Sequence, residues 1–104
     1  MVEQVNHPDH YNIPGKRECI EAMKEDYGEL ITTIFCLTNA YKYLYRAGNK
    51  KGNSKEQDIS KAKWYYDYQD KFDVDYVNND LFKSKDYLLK LKNYVKEGLK
   101  YYGC

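Results

Sequence analysis

The apolar residues Ile34, Leu37, Tyr41 and Leu44 recur at i, i+3, i+7 and i+10, and the run ends at Gly48. A 3.6-residue period sustained over this length fits an α-helix and no strand, whose side chains alternate every second residue. Gly48 stands where a left-handed C-cap closes a helix. Beyond it, Ser54-Lys55-Glu56-Gln57 is a capping-box signature, with Ser54 as the N-cap of a further helix. The pattern therefore predicts helices over about 30–47 and about 55–71, joined by a short basic turn. The inward face of the latter is expected at Ile59, Ala62 and Tyr66, with Asp58, Lys61 and Tyr65 beside it.

Two more helices frame this pair. One is expected over about 17–27, with Ile20 and Met23 inward and Gly28 as its stop. The other runs from about Asp80 to Tyr101, with Leu81, Leu88, Leu91, Val95, Leu99 and Tyr102 as its apolar stripe and lysines over the rest. Residues 1–15 form a non-helical lead, because Pro8 and Pro14 push His7 and Ile13 toward extended geometry. Residues 73–79 break the helical pattern. With no strand alternation and no internal repeat, the expected fold is all-α: one domain over 1–104, a small bundle of about four helices with a non-helical N-terminal lead.

Such a bundle is short of core material, and the chain meets this with tyrosine: 13 of its 17 aromatic residues. A tyrosine packs its ring while keeping its hydroxyl wet, which suits a thin core or a self-association interface and points to a homo-oligomer. Seventeen basic and sixteen acidic residues leave a net charge of +1. A protein that coats nucleic acid generally needs a clear basic excess, so general nucleic-acid binding is not expected and any anion site must be local. No apolar run approaches the roughly 18 residues that span a bilayer, and Met1-Val2-Glu3-Gln4-Val5 lacks the form of a secretory leader. Cys19, Cys36 and Cys104 have no metal-type spacing. Cys19 and Cys36 fall on expected apolar faces, which suits a reducing cytoplasm and no membrane.

Asn39, Lys42 and Arg46 share one helix face at i, i+3 and i+7. The turn that follows adds Lys50 and Lys51, next to a helix N-terminus whose N–H groups and dipole favour phosphate. Gly48 and Gly52 have the wrong spacing for a Walker loop and follow a helix rather than a strand, so the site is a basic turn and not a P-loop. The same residues also suit ordinary turn and helix-end chemistry.

Asn6-His7-Pro8-Asp9-His10-Tyr11 holds both histidines of the chain. Histidine transfers protons near neutral pH, contacts phosphate when charged, or binds metal, although no third ligand stands nearby. The segment could equally pack across the bundle. Glu18, Glu21 and Glu25 make an acidic helix face of the kind that holds magnesium in nucleotide enzymes, and that more commonly is only solvated; Glu21 is the metal candidate among them. Trp64, Tyr65, Tyr66 and Tyr68 offer either a base-stacking platform or core packing.

In order along the chain, Asn6-His7-Pro8-x-His10-Tyr11, Ile20-Glu21, the run from Phe35 to Lys50, and Asp58-Ile59-x-Lys61-Ala62-x-Trp64-Tyr65 resemble a small bacteriophage family catalogued as a domain of unknown function. Its members are often labelled nucleotide kinases, after a phage enzyme that phosphorylates deoxynucleoside monophosphates without a Walker motif. The resemblance covers about residues 5–70; residues 73–104 are a C-terminal helix extension outside it. It implies a phage protein of the infected cell's cytoplasm that binds a nucleotide through Asn39, Lys42, Tyr43, Arg46, Lys50, Lys61 and Tyr65. For a deoxynucleoside monophosphate kinase, His7, His10 and Asp58 would be the catalytic residues, with Mg2+ bridging phosphates near Glu21 or Asp58. The alternatives are a non-catalytic protein that sequesters a host nucleotide or cyclic-nucleotide signal as anti-defence, and an all-α nucleoside-triphosphate pyrophosphohydrolase, whose dense Glu-Glu-x-x-Glu pattern is absent. A host protein is a further possible partner.

Overall fold

Glycine at position 28 decides how the first helix is built. In a computed structural model, described over residues 17–76 and 86–104, Gly28 sits at φ 90° and ψ 174°, backbone geometry that residues with a Cβ avoid. The helical dihedrals fail there, yet no loop follows. The Thr32 hydroxyl donates a hydrogen bond to the Gly28 carbonyl at 2.9 Å and ties the next turn to the break. The expected segments 17–27 and 30–47 thus form one element, α1 (Cys19–Tyr45), interrupted at Gly28. With α2 (Lys55–Asp70) and α3 (Tyr87–Tyr101), the described residues contain three helices rather than four, and no strand. The architecture is all-α as expected. The lead containing His7 and His10, and the expected start of the last helix at Asp80 and Leu81, lie outside the described residues.

α2 begins where the capping box placed it. The Ser54 hydroxyl oxygen accepts from the Gln57 N–H and the Gln57 side-chain oxygen accepts from the Ser54 N–H, both at 3.0 Å. Its buried residues are Asp58, Ala62, Tyr65 and Gln69, with Ile59 and Tyr66 only half-buried, so the expected inward face is rotated. On α1 the buried set is Ile20, Thr32, Thr33, Cys36, Leu37, Ala40 and Leu44, while Tyr41 points outward. The fully buried Ala40 and Ala62 let α1 and α2, the most extensively packed pair, approach closely along a seam of small residues. α3 closes the core with Leu88, Val95 and Leu99 buried and Leu91 and Tyr102 packed at their edge, as its stripe predicts.

Polar side chains fasten the segment after α2. Buried Gln69 accepts from the Tyr76 hydroxyl at 2.5 Å and donates to the Tyr66 carbonyl at 2.8 Å. Lys92 of α3 pairs with Asp70 at 3.1 Å and lies 4.4 Å from the Tyr76 ring centroid. Burial pushes the Cys36 thiol up to about 12, so it is an inert packing group; Cys19, expected on an apolar face, is exposed. Among the described residues no helix is long and apolar enough to cross a membrane.

Candidate anion-binding site

Helical spacing sets Lys42 and Tyr43 on the last turn of α1 with Arg46 as its C-cap, and Asp58, Lys61 and Tyr65 on successive turns of α2. Where the two helices pack, Asp58 faces Arg46, and Lys42, Arg46, Lys61 and Tyr65 gather around the Tyr43 ring. Lys42 Nζ lies 4.7 Å, Arg46 Cζ 4.8 Å and Lys61 Nζ 5.5 Å from its centroid. All three fall inside the roughly 6 Å reach of a cation–π contact. Tyr43 in turn stacks on Tyr65, with centroids 6.0 Å apart and planes at 15°. Tyr65 is buried and set edge-on to Phe35 and Trp64, so the cations rest on an aromatic layer continuous with the core.

The cluster is electrostatically unbalanced. Desolvation first, then repulsion from Arg46, Lys50 and Lys61, lowers the Lys42 ammonium below its ordinary range. Lys50, exposed in the turn, is thus close enough to belong to the group. Asp58 is the carboxylate set against it. The residue is fully buried, with Oδ2 accepting from the Gly48 N–H at 3.2 Å and Oδ1 3.6 Å from Arg46 Nε. At that distance the pair is ionic but not hydrogen-bonded, and both facing atoms are buried without a hydrogen-bond partner. Asp58 therefore braces the turn at Gly48, which has φ 78°, and aims Arg46.

The sequence pointed to the turn's backbone and the helix N-terminus as phosphate donors; the structure assigns most of those N–H groups elsewhere. Ala47, Asn49 and Asn53 donate to Leu44, Arg46 and Lys50 carbonyls, Gly48 donates to Asp58, and the capping box occupies Ser54 and Gln57. Glu56 and Asp58 in the first turn of α2 already answer its dipole. The positive character of the site resides in side chains.

The other candidates divide clearly. Asn39 is on the same face, but its amide donates to the Phe35 carbonyl one turn back at 2.9 Å. Tyr65 supports Tyr43 from the core instead of offering an open wall. Glu21 lies apart, at the Tyr68 end of α2. One of its oxygens accepts from the Tyr68 hydroxyl and the other is 3.5 Å from Lys24. Among the described residues no three His, Cys, Asp or Glu side chains are grouped to hold a metal ion. His7 and His10 lie outside the described residues. Trp64 and Tyr68 stack on each other, half-buried against the core. What the sequence did not reveal was Asp58's burial: a carboxylate at a helix start is ordinarily solvated, and only the partners at Gly48 and Arg46 mark it as interior.

These features define a small all-helical protein with a cationic cluster laid on a buried aromatic stack. Residues 5–67 match DUF3310, described as a protein of unknown function, and since the match takes in more than half of the chain, the protein belongs to that family. The matched segment ends within α2 and excludes α3. No curated protein and no solved structure matches the chain.

Proposed function

We propose that the protein binds a nucleotide through its phosphates at the Lys42–Tyr43–Arg46–Lys61 cluster, with Lys50 closing the side of the turn. One observation carries this reading: several mutually repelling cations are gathered on one tyrosine ring, with a single buried carboxylate placed against them. Holding like charges together costs free energy that a bound anion returns, and a phosphate supplies two charges and several acceptor oxygens in a compact form. The binding reading needs nothing beyond this cluster. Asp58 is committed to Gly48 and Arg46, so its role is to position the guanidinium.

The family resemblance supports a second reading in the same site, phosphoryl transfer to a deoxynucleoside monophosphate in a phage-infected cell. There Lys42, Arg46 and Lys50 would neutralise phosphate charge, His7 or His10 would orient the acceptor, and Mg2+ arriving with the nucleotide would supply further charge neutralisation. Sequestration of a host nucleotide signal uses the clamp without these additions.

Titration calorimetry with nucleoside mono-, di- and triphosphates, with and without Mg2+, tests the site. The expected result is saturable binding weakened about tenfold or more by Arg46→Ala and by Lys61→Ala, since a charge-assisted hydrogen bond contributes about 1.5–3 kcal/mol. No binding at millimolar nucleotide, or binding indifferent to both substitutions, overturns the reading. Chromatography after incubation with ATP and a monophosphate then separates the two forms: new diphosphate assigns transfer, unchanged ligand assigns sequestration.

A further inference from the structure

α3 presents a second feature, unrelated to the cation cluster and outside the family-matched segment. An open groove of about 610 Å³ lies where α3 meets the end of α1, lined by Leu44, Lys90, Tyr94, Glu97, Tyr101 and Tyr102. The surface around it is rich in exposed rings. Tyr94 and Tyr101 are 50% and 82% exposed; Tyr41 lies 5.0 Å from Tyr94 by ring centroids and stacks on Tyr45, itself 75% exposed. Solvated rings in one contiguous patch are unusual for a surface that stays in water, and tyrosine is enriched where protein surfaces meet.

The charges on this face identify the occupant. Lys90 and Glu97 are seven residues apart, two turns along the same side of α3, too far along the axis to pair with each other. Their midpoint falls between Asn93 and Tyr94. A two-fold axis through that point, crossing two antiparallel α3 helices, sets Lys90 of each copy against Glu97 of the other. Asn93 and Tyr94 then meet at the axis, and Tyr101 meets the Asp86 end of the opposite helix. A surface that complements itself under a two-fold operation is the signature of an isologous interface. We propose that the α3 groove and the tyrosines beside it form the interface of a symmetric homodimer, with a second copy of this chain as the occupant and the Lys90–Glu97 pairs fixing its register.

Charge reversal tests both partner and register. The substituted residues are exposed, so circular dichroism should show each variant folded. Wild-type protein is expected at twice the chain mass by light scattering after gel filtration. Lys90→Glu sets acidic side chains against each other and Glu97→Lys sets basic ones together, so each alone should weaken association at least about tenfold. An equimolar mixture of the two variants makes both cross-pairs complementary again and should restore the dimer, as should both substitutions in one chain. A parallel register sets 90 against 90 and 97 against 97, so the wild type, each single variant and the doubly substituted chain would all carry two like-charged pairs. Weakening by the single variants and restoration in the doubly substituted chain therefore mark the antiparallel register. A wild type that is monomeric at about 100 μM, a dimer that survives either single variant, or a mixture that remains monomeric overturns the proposal.

Discussion

Asp58 brings a carboxylate into the interior at the start of α2, where an unpaired charge is costly. It is tolerated because the Gly48 N–H donates to one oxygen and the Arg46 guanidinium faces the other. Removing the carboxylate strands Arg46, whose side chain is only 23% exposed, beside Lys42, which it repels, and over the Tyr43 ring that Lys61 shares. Asp58→Ala should accordingly cost about 3–5 kcal/mol, the range for breaking a buried pair by removing one partner. Asp58→Asn, which keeps an acceptor for Gly48, should cost less; chemical denaturation of both variants measures the difference. The sequence made Asp58 and Arg46 visible as members of a charged constellation, since their spacing and order are written in the chain. It did not separate a group that touches a ligand from one that aims its neighbour, because that distinction depends on burial. Tyr43 shows the same limit: as one tyrosine of thirteen its place at the centre of three cations is a tertiary fact.

Between elements, the hydrogen bond from the Tyr68 hydroxyl to Glu21 joins the first half of α1 to α2. That bond, and after it Lys24 and Lys71, hold the Glu21 carboxyl below its ordinary value of 4.5, while burial and then the same bond push the Tyr68 hydroxyl well above 10. A carboxyl with a lowered folded-state value stabilises the fold above pH 4.5, and the contribution is lost as pH falls through that lowered value. A hydroxyl with a raised value stabilises below pH 10, and its contribution is lost as pH rises through the raised value. Tyr68→Phe should therefore lower the melting temperature at neutral pH, and the gap from wild type should narrow in strong acid; a gap independent of pH would mean that the ring alone matters. At this scale the helix starts and stops were legible from local chemistry: the Ser54–Gln57 box and the break at Gly28 both act through neighbours in sequence. The number of helices was not, because whether a broken helix turns away or continues depends on what it packs against. Nor was the buried face of α2, since Asp58 and Gln69 are interior polar residues that an apolar period cannot mark.

For the whole molecule, a net charge of +1 required any anion site to be local, and the structure meets that requirement by gathering cations where α1 runs into α2. Such crowding makes Lys42 sensitive to whatever occupies the site. In the free protein its ammonium is partly desolvated and repelled by Arg46, Lys50 and Lys61, and so releases its proton more readily than an ordinary lysine. On the proposed reading, a bound phosphate would offset that repulsion and return Lys42 toward full protonation. Ligand capture at a pH near the lowered Lys42 value should then draw protons from the medium, and the measured heat should change with the ionisation enthalpy of the buffer. Lys42→Arg, charged at every accessible pH, should abolish that dependence while retaining the ligand. On the proposed reading, phosphate capture and protonation of Lys42 are coupled through the cations crowded around it, so binding should weaken as pH rises through the lowered Lys42 value.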